Sequence, residues 1–164
     1  MQLGPISNFH QWKQDIQNEI GNCKVVCSIS GGKDSTCMAL LLKEAELDYE
    51  SIFMDTGWEH EATLEYIEKY LTKYVGPIVH LGNPKGGMRD LIVDKGQFPR
   101  KTARWCTGEL KLTPAKKYLK SLPYEPVNAV GIRAEESASR SKYPEWEYSS
   151  EFKCDVWRPI LNWT

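Results

Sequence analysis

The chain has 164 residues, 41% of them hydrophobic and 26% charged. That length and balance fit one globular domain over 1–164 and exclude collagen, extended disorder and a membrane-spanning protein. With 21 basic against 22 acidic residues the net charge is -1, so there is no global field for coating nucleic acid.

Ser7 and Asn8 can cap a first helix whose apolar residues Phe9, Trp12, Ile16 and Ile20 share one face, and Gly21 ends it. Lys24 to Ile29 (KVVCSI) is a β-branched apolar run that reads as a buried strand. The loop SGGKDS follows, and a helix is expected from Thr36 to Ala45. ESIFM at 50–54 reads as a second strand. DTGW then leads into a long helix from Glu59 to Lys73, with Leu64, Ile67 and Leu71 at helical spacing.

Pro77 to Leu81 is a third strand, GNPKGG a turn-rich loop, and MRDLIVDK a short helix. Thr113-Pro114 reads as the start of a helix that runs to Ser121. Val127 to Gly131 is a fourth strand, and Lys153 to Val156 a fifth. Strands alternate with helices, which predicts an α/β, Rossmann-like, doubly wound domain. Its sheet is mainly parallel and five-stranded, with helices on both faces. Right-handed crossovers put the loops after the strands on one edge, where ligands bind in such sheets.

Ser30-Gly31-Gly32-Lys33-Asp34-Ser35 lies between a strand and a helix. Two glycines let the backbone turn sharply and present N–H groups to an anion, and the following helix points its positive end at the same place. Ser30 and Ser35 add hydroxyls, and Lys33 can neutralise phosphate. Asp34 can help hold a magnesium ion through its water. The pattern is not G-x-x-x-x-G-K-[ST], so the ordinary P-loop does not apply.

SGGKDS resembles the PP-loop of the adenine nucleotide alpha-hydrolases, and four further segments are similar to one branch, the phosphoadenosine phosphosulfate (PAPS) reductase family. Asp55-Thr56-Gly57 follows strand two. Arg104-Trp105-Cys106 precedes Leu110-Lys111 and Pro114. Gly131-Ile132-Arg133 precedes Glu136-Ser137 and Arg140. Arg158-Pro159-Ile160 precedes Trp163. These segments occur in the family's order, from about residue 22 onward.

The resemblance implies a nucleotide substrate, ATP or PAPS, with magnesium, and cleavage of ATP to an adenylylated intermediate and pyrophosphate. It places the backbone at Phe53 and Met54 against the adenine. Asp55 and Thr56, at the strand's carboxyl end, can meet a ribose hydroxyl or a hydrated metal, with a turn cap as the plainer alternative. Arg104, Lys111, Gly131, Arg133 and Arg140 would surround the phosphates. Lys33, Asp34, Arg133, Arg140 and Cys106 are the candidate catalytic residues. Ion pairing of Arg133 and Arg140 with Glu135 and Glu136 is the plainer alternative. Seven basic residues against one acidic, Glu109, fall in 100–120, and Lys116, Lys117 and Lys120 read as a solvated helix face.

Five cysteines (Cys23, Cys27, Cys37, Cys106 and Cys154) are irregularly spaced with no C-x-x-C pair. They fit reduced thiols, several of them core filler. Some family members use paired cysteines for an iron–sulfur cluster. Trp105 stands where the first would be, which argues against a cluster here. Cys106 can be a reactive thiolate or a structural thiol.

His10, His60 and His80 show no metal-ligand spacing. The N-terminal stretch MQLGPISNFHQWKQDIQ lacks a basic start and an apolar block, so a cytoplasmic chain without a membrane anchor is expected. The reductases' nucleophilic tail cysteine has no counterpart before Thr164, which points to a fragment or a short member with another task. The intact SGGKDS favours the ATP-handling members. A thiol-dependent reductase of PAPS or adenylyl sulfate, and a non-catalytic nucleotide-binding subunit, are the alternatives. A homodimer or a partner protein is left open.

Overall fold

The computed structural model describes residues 6–163; the first five residues of the stretch read for a leader, and Thr164, lie outside the described residues. The first helix, α1 (Phe9–Ile20), starts where the sequence places it. The Asn8 side chain accepts from the Gln11 N–H (3.2 Å), and Gly21 closes the helix at φ 58°.

The core is a six-stranded sheet in the order β3-β2-β1-β4-β6-β5. Strands β1 (Lys24–Ile29), β2 (Tyr49–Met54), β3 (Ile78–Leu81), β4 (Pro126–Val130) and β6 (Cys154–Trp157) run parallel. β5 (Trp146–Ser149) pairs antiparallel with β6 at the edge and is the strand the five-strand reading lacks. It is four residues long and half-exposed, so it carries no apolar run. What fixes it is pairing: Trp146 lies opposite Trp157, and their rings stack at 5.0 Å. Trp12 of α1 stacks on Trp157 at 6.4 Å and ties the first helix to the same place.

Val25, Cys27 and Ile29 of β1 join Met38 and Leu42 of α2 (Lys33–Glu44) in the main core cluster, while Val26 faces Ile52, Ala115 and Leu119 on the other side of the sheet. Burial pushes the Cys27 thiol up to about 12 and Cys154 up to about 11, so both are inert at neutral pH and fill the core.

Two helices depart from expectation. Helix α2 begins at Lys33 rather than Thr36, so the last residues of SGGKDS are its first turn. The helix expected to start at Thr113 is already helical from Trp105. It passes through a π-turn, Gly108–Leu112, before Thr113–Ser121. Pro114 has no N–H to donate backward, and the Glu109 carbonyl accepts instead from the Asn83 amide (2.8 Å). Thr113 is therefore interior helix and not a cap. The 61–75 helix carries a similar π-turn over Tyr66–Leu71. Among the described residues no helix is long and apolar enough to cross a membrane.

Candidate functional site

The chain order reverses at β1: β2 and β3 lie on one side, β4 and β6 on the other. Such a switch point leaves a crevice at the carboxyl ends of the strands. A cavity of about 490 Å³ opens there. All of SGGKDS but Gly31 lines its floor; Phe53 and Met54 at the end of β2 and Glu59 beyond it stand on one side, and Val130 at the end of β4 with Gly131, Ile132, Glu136 and Arg140 beyond it on the other. Lys111 reaches in from the 105–121 helix.

The loop is held before any ligand arrives. The Ser35 hydroxyl takes the Ser30 N–H (3.1 Å), lies 3.0 Å from the Ser30 hydroxyl and donates to the Gly32 carbonyl (3.1 Å). Gly31 sits at φ 75°, which a side chain resists, and a Cβ there would press on Thr63 and Ile67 at 3.1 and 3.2 Å. Gly131 is tighter. A Cβ on it would stand 2.8 Å from the Ser35 Cα and 3.0 Å from the Asp34 carbonyl. β4 therefore touches the start of α2 backbone to backbone.

A guanidinium clasp joins the two sides. Arg133 Nε donates to Asp34 Oδ1 at 2.9 Å, and Arg133 also pairs with Glu135. Glu136 accepts from the Arg133 N–H (2.8 Å) and pairs with Arg140. The ion pairs weighed as the plainer reading are thus formed. Arg140 nonetheless lines the cavity, whereas Arg133 does not and acts through Asp34. Burial, with Asp34 next to it, raises the Cys37 thiol in the turn above.

The Arg133 N–H, and after it the Arg140 guanidinium, hold the Glu136 carboxyl below the usual carboxylate range. A lowered carboxyl stabilises the folded state above its unfolded pKa, about 4.3, and that contribution is lost as pH falls through the lower folded value. The pair is near the surface, so the effect is within about 1 kcal/mol. The thermal midpoint of wild type should exceed that of Glu136→Gln at pH 7. The two should converge in acid below pH ~4; a constant gap across that range would show that the carboxylate's charge is not what matters.

Ser30, Gly32, Lys33, Asp34, Ser35, Phe53, Met54, Lys111, Gly131 and Arg140 are brought together at the cavity. Asp55 is turned away. Its Oδ1 takes the Gly57 N–H (2.8 Å), and it lines a second cavity of about 370 Å³ with His80 and Gly86. Thr56 is buried and serves the turn: its hydroxyl donates to Glu59 (2.6 Å) and its carbonyl accepts from the Met88 N–H (2.7 Å). Arg104 is exposed and Cys106 is a half-buried free thiol; neither is among the residues lining the main cavity. His60 is exposed and caps the 61–75 helix through Nδ1 (3.1 Å).

Glu59 is the residue that sequence reasoning missed. Its signal was present, because Thr56-x-x-Glu59 has the spacing of a capping box. Among the described residues no group of three or more His, Cys, Asp and Glu side chains is placed to hold a metal. Asp34 Oδ1 is already taken by Arg133 and lies 3.8 Å from Lys33 Nζ. The site fits a magnesium ion brought by phosphates with its water, and not a cage of protein carboxylates.

Comparisons agree with this architecture. A PAPS reductase from Candida auris, solved as its phosphate complex, has the same fold. The TM-score is 0.69 at 14% identity, over 97% of this chain and 75% of that one. An uncharacterised protein of Methanocaldococcus jannaschii is 37% identical over 87% of this chain and 34% of its own length. An adenosine 5'-phosphosulfate reductase of Oceanobacillus iheyensis is 24% identical over 96% of this chain and 63% of its own length. The chain thus spans about a third and under two thirds of these two relatives. Residues 24–164 match the phosphoadenosine phosphosulfate reductase domain, and the chain belongs to that family.

Proposed function

We propose that this chain is a PP-loop adenine-nucleotide enzyme. It cleaves ATP between the α and β phosphates, giving an adenylylated acceptor and pyrophosphate, in sulfur metabolism or sulfur transfer. One observation carries this reading: SGGKDS lies at a strand-to-helix junction, and Ser30, Gly32, Lys33 and Ser35 face one cavity together with Lys111 and Arg140.

In the reaction an acceptor oxygen attacks the α-phosphorus. The α–β bridging bond breaks, and its electron pair leaves on pyrophosphate. The loop's backbone N–H groups and the start of α2 bind the phosphates. The paired Ser30 and Ser35 hydroxyls, 3.0 Å apart, can redirect a donor to an oxygen. Lys33, with its side chain 78% exposed, is free to follow the leaving charge. Magnesium, when bound with the nucleotide, neutralises phosphate charge, with Asp34 the residue that would meet its water shell. Catalysis is then chiefly positioning and charge stabilisation.

The reductase reading draws support from the relatives named adenosine 5'-phosphosulfate reductase. It requires a thiol at the nucleotide, and Cys106 does not line the cavity. Titration calorimetry of the protein with ATP, adenylyl sulfate and PAPS, each with magnesium, separates the two. Preference for ATP is expected. Preference for a phosphosulfate nucleotide would overturn the ATP reading in favour of the reductase. Tight ATP binding with no pyrophosphate released would mark a nucleotide-binding subunit that needs a partner.

A further inference from the structure

Three carboxylates line the main cavity: Asp34, Glu59 and Glu136. Asp34 is paired with Arg133, and Glu136 with Arg140. Glu59 has no ion-pair partner among the described residues. It is instead fixed by its own turn: Oε1 accepts from the Thr56 hydroxyl (2.6 Å), and Oε2 accepts from the N–H groups of Thr56 (3.1 Å) and Trp58 (3.2 Å). That turn is rigid. Thr56 is 5% exposed and bonded to Met88, and a Cβ on Gly87 would stand 2.9 Å from the Thr56 carbonyl. The carboxylate is thus held in place by three hydrogen bonds from its own turn.

From this geometry we infer that Glu59 selects the sugar of the nucleotide: it accepts a ribose hydroxyl and rejects nucleotides phosphorylated on the ribose. The inference rests on the adenine-nucleotide reading above. Apart from Lys111, which reaches in from the 105–121 helix, the phosphate-binding groups belong to the β1 and β4 side of the crevice, and Glu59 stands after β2 beside Phe53 and Met54. A nucleotide whose phosphates occupy the loop therefore brings its sugar toward Glu59. Oε2 already has two donors. Oε1 has one and keeps a second acceptor position, since a carboxylate oxygen can take two. One vacant acceptor position suits a single O–H. It suits a divalent cation poorly, because such ions gather several oxygens. A ribose phosphate in the same place loses that hydrogen bond and sets like charges face to face in a partly enclosed site.

The test uses three ligands that differ only at the ribose: adenosine 5'-monophosphate, adenosine 3',5'-bisphosphate and adenosine 2',5'-bisphosphate. They are titrated into the intact protein at one ionic strength. The bisphosphate whose phosphate replaces the accepted hydroxyl should bind at least about tenfold more weakly than the monophosphate, ~1.4 kcal/mol. Glu59→Gln should tighten that bisphosphate about fivefold. Two results would overturn the inference while leaving the nucleotide reading intact. One is wild-type protein that binds both bisphosphates as tightly as the monophosphate, which needs no variant to observe. The other is a gap that Glu59→Gln does not narrow. Binding of none of the three would overturn the nucleotide reading itself.

Discussion

Lys33→Ala should lower the release of pyrophosphate from ATP by about a hundredfold or more, the loss typical of removing one donor to a developing charge. The fold should be untouched. Lys33 is the first residue of α2, its side chain is 78% exposed, and its nearest partner in an ion pair is Asp34 at 3.8 Å. Nothing packs on it that alanine would leave uncovered, and alanine is the best helix former. The thermal midpoint should therefore stay within about 2 °C of wild type, the shift that under 1 kcal/mol produces in a domain of this size. ATP affinity should fall less than the rate, because the ammonium matters most where charge builds on the leaving group. Unchanged turnover would remove the loop from the chemistry and with it the adenylyl-transfer assignment.

Gly131→Ala should damage both the fold and the site. The atoms it meets are backbone, the Ser35 Cα and N and the Asp34 carbonyl, all at 2.8–3.0 Å. No side chain can rotate to relieve the contact, so β4 and the start of α2 must move apart. Overpacking of this kind costs about 1–3 kcal/mol. The same shift stretches the Arg133–Asp34 bond and moves the donors of SGGKDS, so nucleotide affinity should drop about tenfold or more. Gly108→Ala is the matched control: it is helical, and nothing lies within 4 Å of its added Cβ. Calorimetric unfolding and ATP titration on both variants check the claim. Equal behaviour of the two would show that the close approach carries no load.

Much of this architecture is readable in the chain because its signals are local. KVVCSI, the two glycines of SGGKDS and the Asn8 cap each state their conformation within a few residues. What the sequence conceals is set by distant partners. β5 exists because Trp146 meets Trp157; its own four residues, WEYS, alternate apolar and polar but are too short a run to stand out from the polar stretch around them. The helix over 105–112 is hidden by Thr113-Pro114, a pair that normally opens a helix. It forms here because a π-turn and Asn83 accommodate the missing donor. The same division holds at the site. The loop and Arg140 are legible from motif and order, whereas Asp55 and Thr56 carry family-like letters yet are taken up by their own turn. Glu59 belongs to no segment of the resemblance, and its Thr56-x-x-Glu59 spacing signals a helix start rather than a place at the cavity.

The Arg133–Asp34 clasp spans 99 residues of sequence. β1 and β4, which it fastens, are likewise joined only after β2, β3 and four intervening helical stretches have been made. The anion-binding loop is thus encoded early and completed late. On a ribosome it would wait, half-built, until the chain had grown past β4. High contact order of this sort slows folding, because a long loop must close before its contacts form. A ligand that grips both sides of the crevice acts on a late-made junction of the protein. It therefore lengthens the lifetime of the finished fold rather than hastening its assembly.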